Sequence, residues 1–356
     1  MVKMPILSEA YKDHPVKQNL IVPLDFSSVK DVPESHAWAQ CYDDPKINPN
    51  DIEKSWSSIS VPVIDLDDPN VVNLIFKACE TWGMFQVTNH GISKEVLDQV
   101  EFRAKSLFNL PFEQKMKVVR PPDGATGYGY PRITPFFNKL MWNEGFTIMG
   151  DSLNHDAKVL WPNDFQDFCE VISEYQTKMK DLGNKLMGLL LKSLNIPKPI
   201  LEGKDQDLCT ALQLNSYPTC PDPTQTMGLA QHTDTFLFTI LHQSGNTSGL
   251  QVLKDGLGWV SVDPHPGALV VNVGDLLHLI SNARFPSAIH RAVVNNEKQR
   301  LSIAYFIGPP LDFEVSPFLD YPNCEGPCFR SLKVKEYVSI KSKYLDLALS
   351  IVKKSG

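Results

Sequence analysis

The sequence predicts a mixed α and β chain built on a double-stranded β-helix, or jelly-roll, with helices packed on its outside. Three observations predict it. Residues 208–307 read as a series of short Val-, Ile-, Leu- and Phe-rich segments, among them LFTILHQ, GLQVLK, GWVSV, GALVVNVG and RLSIAYFIG, each broken by Gly, Pro or Asn. Their number, about eight, and their spacing fit two antiparallel sheets closed on each other. Upstream the pattern turns helical, and 356 residues that are 42% hydrophobic can build one barrel with helical flanks.

The elements follow in order. Residues 1–58 carry Pro5, Pro15, Pro23, Pro33, Pro45 and Pro49 among polar residues without periodicity, so they read as an extended arm lying on the body. Residues 59–205 form an α/β region packing on the barrel. Within it VPVIDL is a strand, Asn70 to Thr81 has helical spacing, and GMFQV is a strand that stops at Asn89-His90-Gly91. Ser93 caps a helix running to about Leu110, with Val96, Leu97, Val100, Leu107 and Phe108 as its apolar stripe. Tyr128 to Phe137 is dense in Gly, Pro and aromatics and reads as a loop with special backbone angles. A long amphipathic helix spans about Asp164 to Leu194, bounded by Trp161-Pro162 and by Pro197 and Pro199. Residues 206–310 are the jelly-roll core. Residues 311–356 form a C-terminal segment in which Leu332 to Lys353 reads as one amphipathic helix, placed to close the barrel mouth or to pack on the body.

Charge excludes some functions. Lys plus Arg is 34 against 41 for Asp plus Glu, so no broad basic field awaits nucleic acid or an anionic membrane. The strongest apolar run, Leu186 to Leu191, falls far short of the ~18 residues a span needs. Pro5, Glu9, Lys12 and Asp13 interrupt the apolar stretch a signal peptide requires. Seven scattered cysteines (41, 79, 169, 209, 220, 324 and 328) contain no C-x-x-C pair and fit reduced thiols. Cys324 and Cys328 flank Gly326 and Pro327, which a turn explains without a metal. A soluble, cytoplasmic monomer is the expectation.

Three polar pairs interrupt the apolar strands: His232 and Asp234, Arg300 and Ser302, Asn215 and Tyr217. The members of each pair stand two positions apart, which puts both side chains on one face of a strand. In RLSIAYF, Leu301, Ile303 and Tyr305 make the opposite, apolar face, so Arg300 and Ser302 turn toward a ligand or water, and an arginine there needs an anion. His290, at the end of RFPSAIH, is the best candidate for a second imidazole beside His232 and Asp234. Two histidines and one carboxylate leave open positions on a metal, the facial set of non-haem Fe(II) oxygenases, whereas structural zinc is closed. The H-E-x-x-H helix pair of zinc hydrolases is missing, which favours iron. His90, His242, His265 and His278 have no spaced partner and read as structural.

These residues resemble the plant Fe(II)- and 2-oxoglutarate-dependent dioxygenases, whose pattern is His-x-Asp, a distal His, then Arg-x-Ser about ten residues on. Here that is His232-Thr233-Asp234, His290 and Arg300-Leu301-Ser302. Asn215 to Pro218 and the segment WGMFQVTNHGI carry the likeness further, so it covers about residues 60 to 310. Within the family the chain is most similar to the gibberellin 3-beta-dioxygenases, through FFNKLMWNEGFTI, NSYPTCPDP, GLAQHTDTF, NTSGLQVL and NVGDLLHLISNARFPSAIHRAVVN. It departs from that subfamily's Trp-Ser-Glu at Asn143, so regiochemistry rests on fewer residues than reaction class does.

The resemblance implies that His232, Asp234 and His290 ligate Fe(II) and that 2-oxoglutarate chelates the metal. Arg300 would grip its distal carboxylate, with Ser302, Tyr217 and Asn215 adding hydrogen bonds. O2 is the oxidant, ascorbate a stimulant, and succinate and CO2 the co-products. The substrate it implies is a gibberellin precursor, an apolar acid. Its pocket calls for aromatic walls and one cation, for which Tyr128, Phe136, Phe137, Trp142, Phe146 and Arg132 are the candidates. Two alternatives stay open: the same chemistry on another gibberellin position or plant metabolite, and a non-catalytic jelly-roll that binds a small acid.

Overall fold

The computed structural model describes Tyr11 and residues 15–38, 60–197, 208–245, 247–319 and 326–354. Cys41, Cys324 and the remainder of the predicted arm lie outside them. From residue 209 onward the strands are β5 (Cys209–Tyr217), β6 (Leu229–His232), β7 (Phe238–Gln243), β8 (Leu250–Lys254), β9 (Gly258–Ser261), β10 (Leu269–Val273), β11 (His290–Ala292) and β12 (Arg300–Gly308). Before them come β1 (Val63–Asp65), β2 (Met84–Thr88), β3 (Gly127–Gly129) and β4 (Glu144–Ile148). The larger sheet has the order β1-β2-β10-β7-β12-β5-β4-β3, and a four-stranded sheet has the order β6-β11-β8-β9. The β1–β2 pair is parallel and the other pairs in these two sheets are antiparallel.

The strands of the α/β region do not form a layer of their own; β1 to β4 extend the barrel's larger sheet at both edges. β3 and β4 lie where the sequence shows only a loop and an unassigned stretch. Glycine weakens the strand preference of Gly-Tyr-Gly, and Phe-Thr-Ile is too short a favourable run to mark a strand by itself; the extended form comes from pairing of β3 with β4 and of β4 with β5.

Besides a single helical turn at Phe112–Lys115, four longer helices among the described residues precede the barrel: α1 (Val71–Trp82), α2 (Lys94–Phe108), α3 (Ser152–Leu160) and α4 (Phe165–Ser193). Ser93 Oγ accepts the Val96 N–H at 3.4 Å, the expected cap, and the stripe from Val96 to Phe108 is buried. In α4, Phe168, Ile172, Tyr175, Met179, Leu182, Leu186 and Leu190 recur at three- and four-residue spacing and are all buried. Each such side chain contributes roughly 1.5–3 kcal/mol of gross burial energy. They share one core with Leu301, Ile303, Tyr305 and Ile307, the outward face of β12. The alternate residues Arg300, Ser302, Ala304 and Phe306 line an interior cavity. Strand alternation thus separates a greasy helix-facing side from a chemically active one.

Two peripheral segments close the body. Residues 15–38 hold no α-helix or strand, as their prolines predict, and lie across it: Val16 N–H donates to Pro122 O (2.9 Å), Tyr130 N–H to Ile21 O (2.7 Å) and Leu140 N–H to Ser35 O (2.8 Å). After α5 (Asp275–Ile280), the single C-terminal helix expected over Leu332 to Lys353 is instead α6 (Val334–Tyr344) and α7 (Ala348–Val352). Leu345, at φ +41°, breaks it and turns its side chain into the cavity wall, together with Val338, Lys341 and Ser342. No helix of the described residues is long and apolar enough to cross a membrane.

Candidate active site

His232 ends β6 and His290 begins β11, and the antiparallel pairing of these strands sets the two histidines directly opposite each other. Their rings lie 4.3 Å apart between centroids. Asp234, two residues past His232, sits where the chain leaves the strand, and its carbonyl accepts the Asp275 N–H at 2.8 Å. A glycine must follow β10 here, because a Cβ on Gly274 would stand 2.2 Å from Phe236 O. The close approach holds the loop carrying Asp234 against α5.

The three side chains fit a metal. Asp234 Oδ1 is 3.9 Å from the Nε2 of both His232 and His290, too long for a hydrogen bond. Two donors that each sit about 2.1 Å from a shared ion lie about 3 to 4 Å apart. His232 Nδ1 faces Ala230 O at 2.8 Å and His290 Nδ1 faces Ala288 O at 3.0 Å. A carbonyl only accepts, so each Nδ1 carries the proton and each Nε2 lone pair points to the common centre. Burial, then the neighbouring His290, pushes the His232 pKa down to about 4, so it is neutral at physiological pH. Burial pushes the Asp234 carboxyl up, but the two imidazoles and hydrogen bonds from Thr239 (2.6 Å) and Asn272 (3.5 Å) outweigh it and hold the pKa below its ordinary value. Among the described residues this is the His/Cys/Asp/Glu cluster able to hold a metal.

A cavity of about 750 Å³ opens from this centre into the barrel. On its floor β12 lies between β5 and β7, with Arg300 opposite Tyr217, and Ser302 opposite Asn215 and Gln243. Arg300 is 1% exposed, and its guanidinium carbon is 5.1 Å from the Tyr217 ring centre. One nitrogen, Nη2, donates to Gln243 Oε1 at 2.9 Å, while Nε and Nη1 have no partner. A buried guanidinium with two unspent donors is complementary to a carboxylate.

Two family descriptions match the chain: the 2OG-Fe(II) oxygenase superfamily over residues 208–309, and the non-haem dioxygenase in morphine synthesis N-terminal region over residues 61–167. Together they span more than half of it. The chain belongs to the 2OG-Fe(II) oxygenase superfamily. It is a 2-oxoglutarate-dependent dioxygenase that uses Fe(II). Among curated relatives it is 48% identical to gibberellin 3-beta-dioxygenase 1 of Pisum sativum, covering 98% of this chain and 94% of that one. It is 44% identical to gibberellin 3-beta-dioxygenase 2 of Arabidopsis thaliana, covering 98% and 99%. Of the solved structures, JOX2 in complex with 2OG, Fe and JA superposes with a TM-score of 0.78 at 26% identity, over 93% of this chain and 96% of that one.

The dioxygenase's cavity does not take all the side chains the sequence suggested. Arg132 and Phe136 line it. Tyr128, Phe137, Trp142 and Phe146 do not. Tyr128 pairs with Phe146 across β3 and β4, and its hydroxyl donates to the buried Glu144 at 2.7 Å. Phe146 faces the main core because its neighbour Thr147 faces the cavity. Trp142 Nε1 donates to Pro218 O (3.1 Å), its ring 5.0 Å from Phe26, and Phe137 packs 5.5 Å from Trp38. Reading 128–146 without strands removed the alternation that sorts inward from outward.

Thr239, Asn272 and Gln243 orient Asp234 and Arg300 but carry no motif of their own. Each is a polar residue breaking an apolar strand, the same signal that marks the three pairs. Outside the triad, three histidines have structural partners or surroundings: His90 Nε2 meets Gly267 O (2.8 Å), His278 Nδ1 meets Phe285 O (2.7 Å), and His242 is buried under α4 near Tyr175. None of the described cysteines Cys79, Cys169, Cys209, Cys220 and Cys328 is disulfide-bonded.

Proposed function

We propose that the chain hydroxylates gibberellin precursors at the 3-beta position, consuming 2-oxoglutarate and O2 and releasing succinate and CO2. The observation that carries the substrate is the 48% identity to the Pisum sativum gibberellin 3-beta-dioxygenase over nearly the whole chain. The buried triad and the arginine facing it support the residue roles.

His232, Asp234 and His290 would hold Fe(II), which supplies the oxidising chemistry when 2-oxoglutarate and O2 are bound. Bonds to Ala230 O and Ala288 O orient the His232 and His290 rings. The Arg300 guanidinium takes the distal carboxylate of the oxo acid, and Tyr217 and Ser302 place hydroxyls beside it. Gln243 keeps the guanidinium in plane by accepting from Nη2. Leu241, Ala304 and Phe306 make the adjoining wall apolar, which keeps water from the oxidant and leaves the substrate as the nearest C–H. Val338 and Leu345 add to the apolar wall.

The proposed setting is a cytoplasmic monomer; seven scattered cysteines without a C-x-x-C pair support the compartment. Incubation with Fe(II), 2-oxoglutarate and a panel of gibberellin precursors, with products identified by mass spectrometry, tests the reading. A 3-beta-hydroxylated product lost in His232→Ala is expected. Oxidation only at another carbon, or of no gibberellin, sinks the substrate assignment.

A further inference from the structure

Another buried cation sits in the cavity wall and serves none of the roles above. Arg120 follows the short helical turn Met116–Val118 and lines the same cavity as the triad. It is 3% exposed. Its Nη2 donates to Tyr130 O at 2.7 Å, while its Nε is buried without a partner. No carboxylate among the described residues pairs with it. Arg132 lines the same cavity, its guanidinium carbon 3.8 Å from the Tyr11 ring centre. Burial, and then the like charge of Arg132, pushes the Arg120 pKa down to about 9.

The backbone is built to keep this guanidinium in place. Arg120 N–H donates to Tyr128 O at 2.8 Å. A Cβ on Gly127 would stand 2.6 Å from Val118 O and 3.2 Å from Arg120 N, so only glycine lets β3 run this close to the Arg120 segment. A hydrogen bond to Tyr130 O alone needs a neutral donor and does not explain a charge, which is costly to bury beside another of the same sign. An anion in the cavity would reverse that cost. Leu20, Ile133, Phe136 and Met149 line the same cavity and are apolar.

We propose that Arg120, with Arg132 beside it, anchors the carboxylate of the apolar acid that is hydroxylated, separately from Arg300, which takes the oxo acid. This rests on the gibberellin reading and adds to it the group that recognises the substrate's charge. The apolar walls hold the ring system while Arg120 sets its orientation toward the metal ligands.

The test compares a gibberellin precursor with its methyl ester in steady-state turnover by the Fe(II)-loaded enzyme. For the wild type, a KM about tenfold to a hundredfold higher for the ester is expected, the loss of one charge-assisted hydrogen-bonded contact. Arg120→Gln should raise the KM for the acid by a similar factor and bring the acid-to-ester ratio near one. The KM for 2-oxoglutarate should stay unchanged, and Arg120→Lys should restore part of the discrimination. Equal KM values for acid and ester in the wild type overturn the anchor while leaving the substrate assignment intact, and that arm depends on no variant folding. A folded Arg120→Gln protein that keeps the wild-type ratio overturns it as well. A wild type that decarboxylates 2-oxoglutarate but converts no gibberellin acid defeats the substrate assignment and the anchor with it.

Discussion

Replacing Arg300 with methionine should have opposite effects on the ligand-free and ligand-bound protein. In the ligand-free state the guanidinium is 1% exposed, burial holds its pKa below the ordinary value, and Nε and Nη1 bond to nothing. Methionine removes that buried charge at the expense of one neutral acceptor, Gln243 Oε1, worth about 1 kcal/mol. Ligand-free Arg300→Met should therefore melt no lower than the wild type. Binding of the oxo acid should suffer. Two charge-assisted bonds to a carboxylate, discounted for non-additivity, amount to about 3–4 kcal/mol, or about 150- to 1000-fold in Kd. Thermal melts with Mn(II) in place of Fe(II) read both effects. At a hundredfold excess over Kd, 2-oxoglutarate stabilises the wild type by about 2.7 kcal/mol. An unfolding entropy of about 2.1 cal/mol/K per residue over 356 residues converts this to a shift of about 3.5 °C. Arg300→Met should show almost none. A Kd within threefold of the wild type, or a ligand-free variant melting several degrees lower, refutes the role given to this arginine.

Three further outcomes are expected. Thr239→Val deletes the 2.6 Å bond that fixes Asp234 and should weaken Mn(II) binding about 10- to 100-fold by titration calorimetry, with the fold retained by circular dichroism. Lys341→Met leaves the fully buried Asp275 without the cation 2.8 Å away, although Tyr337 still donates to it; a loss of about 3–5 kcal/mol in urea unfolding is expected. Burial holds His36 and His242 down to about 4, against about 6.5 when unfolded, so between these values the unfolded chain binds more protons. Stability is complete above about pH 6.5 and falls as pH drops toward 4, by about 1.4 kcal/mol per pH unit for each histidine. His242→Gln should remove one such increment from the slope of urea-unfolding free energy between pH 6 and 5, and an unchanged slope would count against the burial explanation.

Features that depend on neighbours along the chain are legible in the residues alone. The α4 stripe, the Ser93 cap and the eight barrel strands from residue 209 onward are local periodicities. So is the two-residue spacing that puts Arg300 and Ser302 on one face with Leu301 and Ile303 on the other. Each can be read without knowing what lies opposite, because side-chain direction follows from backbone form alone. Tertiary structure decided the rest. That His290 faces His232 is a matter of strand register, and Thr239, Asn272 and Gln243 gain their roles only once β7, β10 and β12 lie side by side. β4 is a strand because β5 is there to pair with it, β3 because β4 is, and that pairing takes Tyr128 and Phe146 out of the cavity. Arg120 shows no signal in the chain. Its buried guanidinium, with Nε unpaired, exists only because the β3 turn and the surrounding segments enclose it, and enclosure is a property of surfaces meeting in space rather than of residues in line.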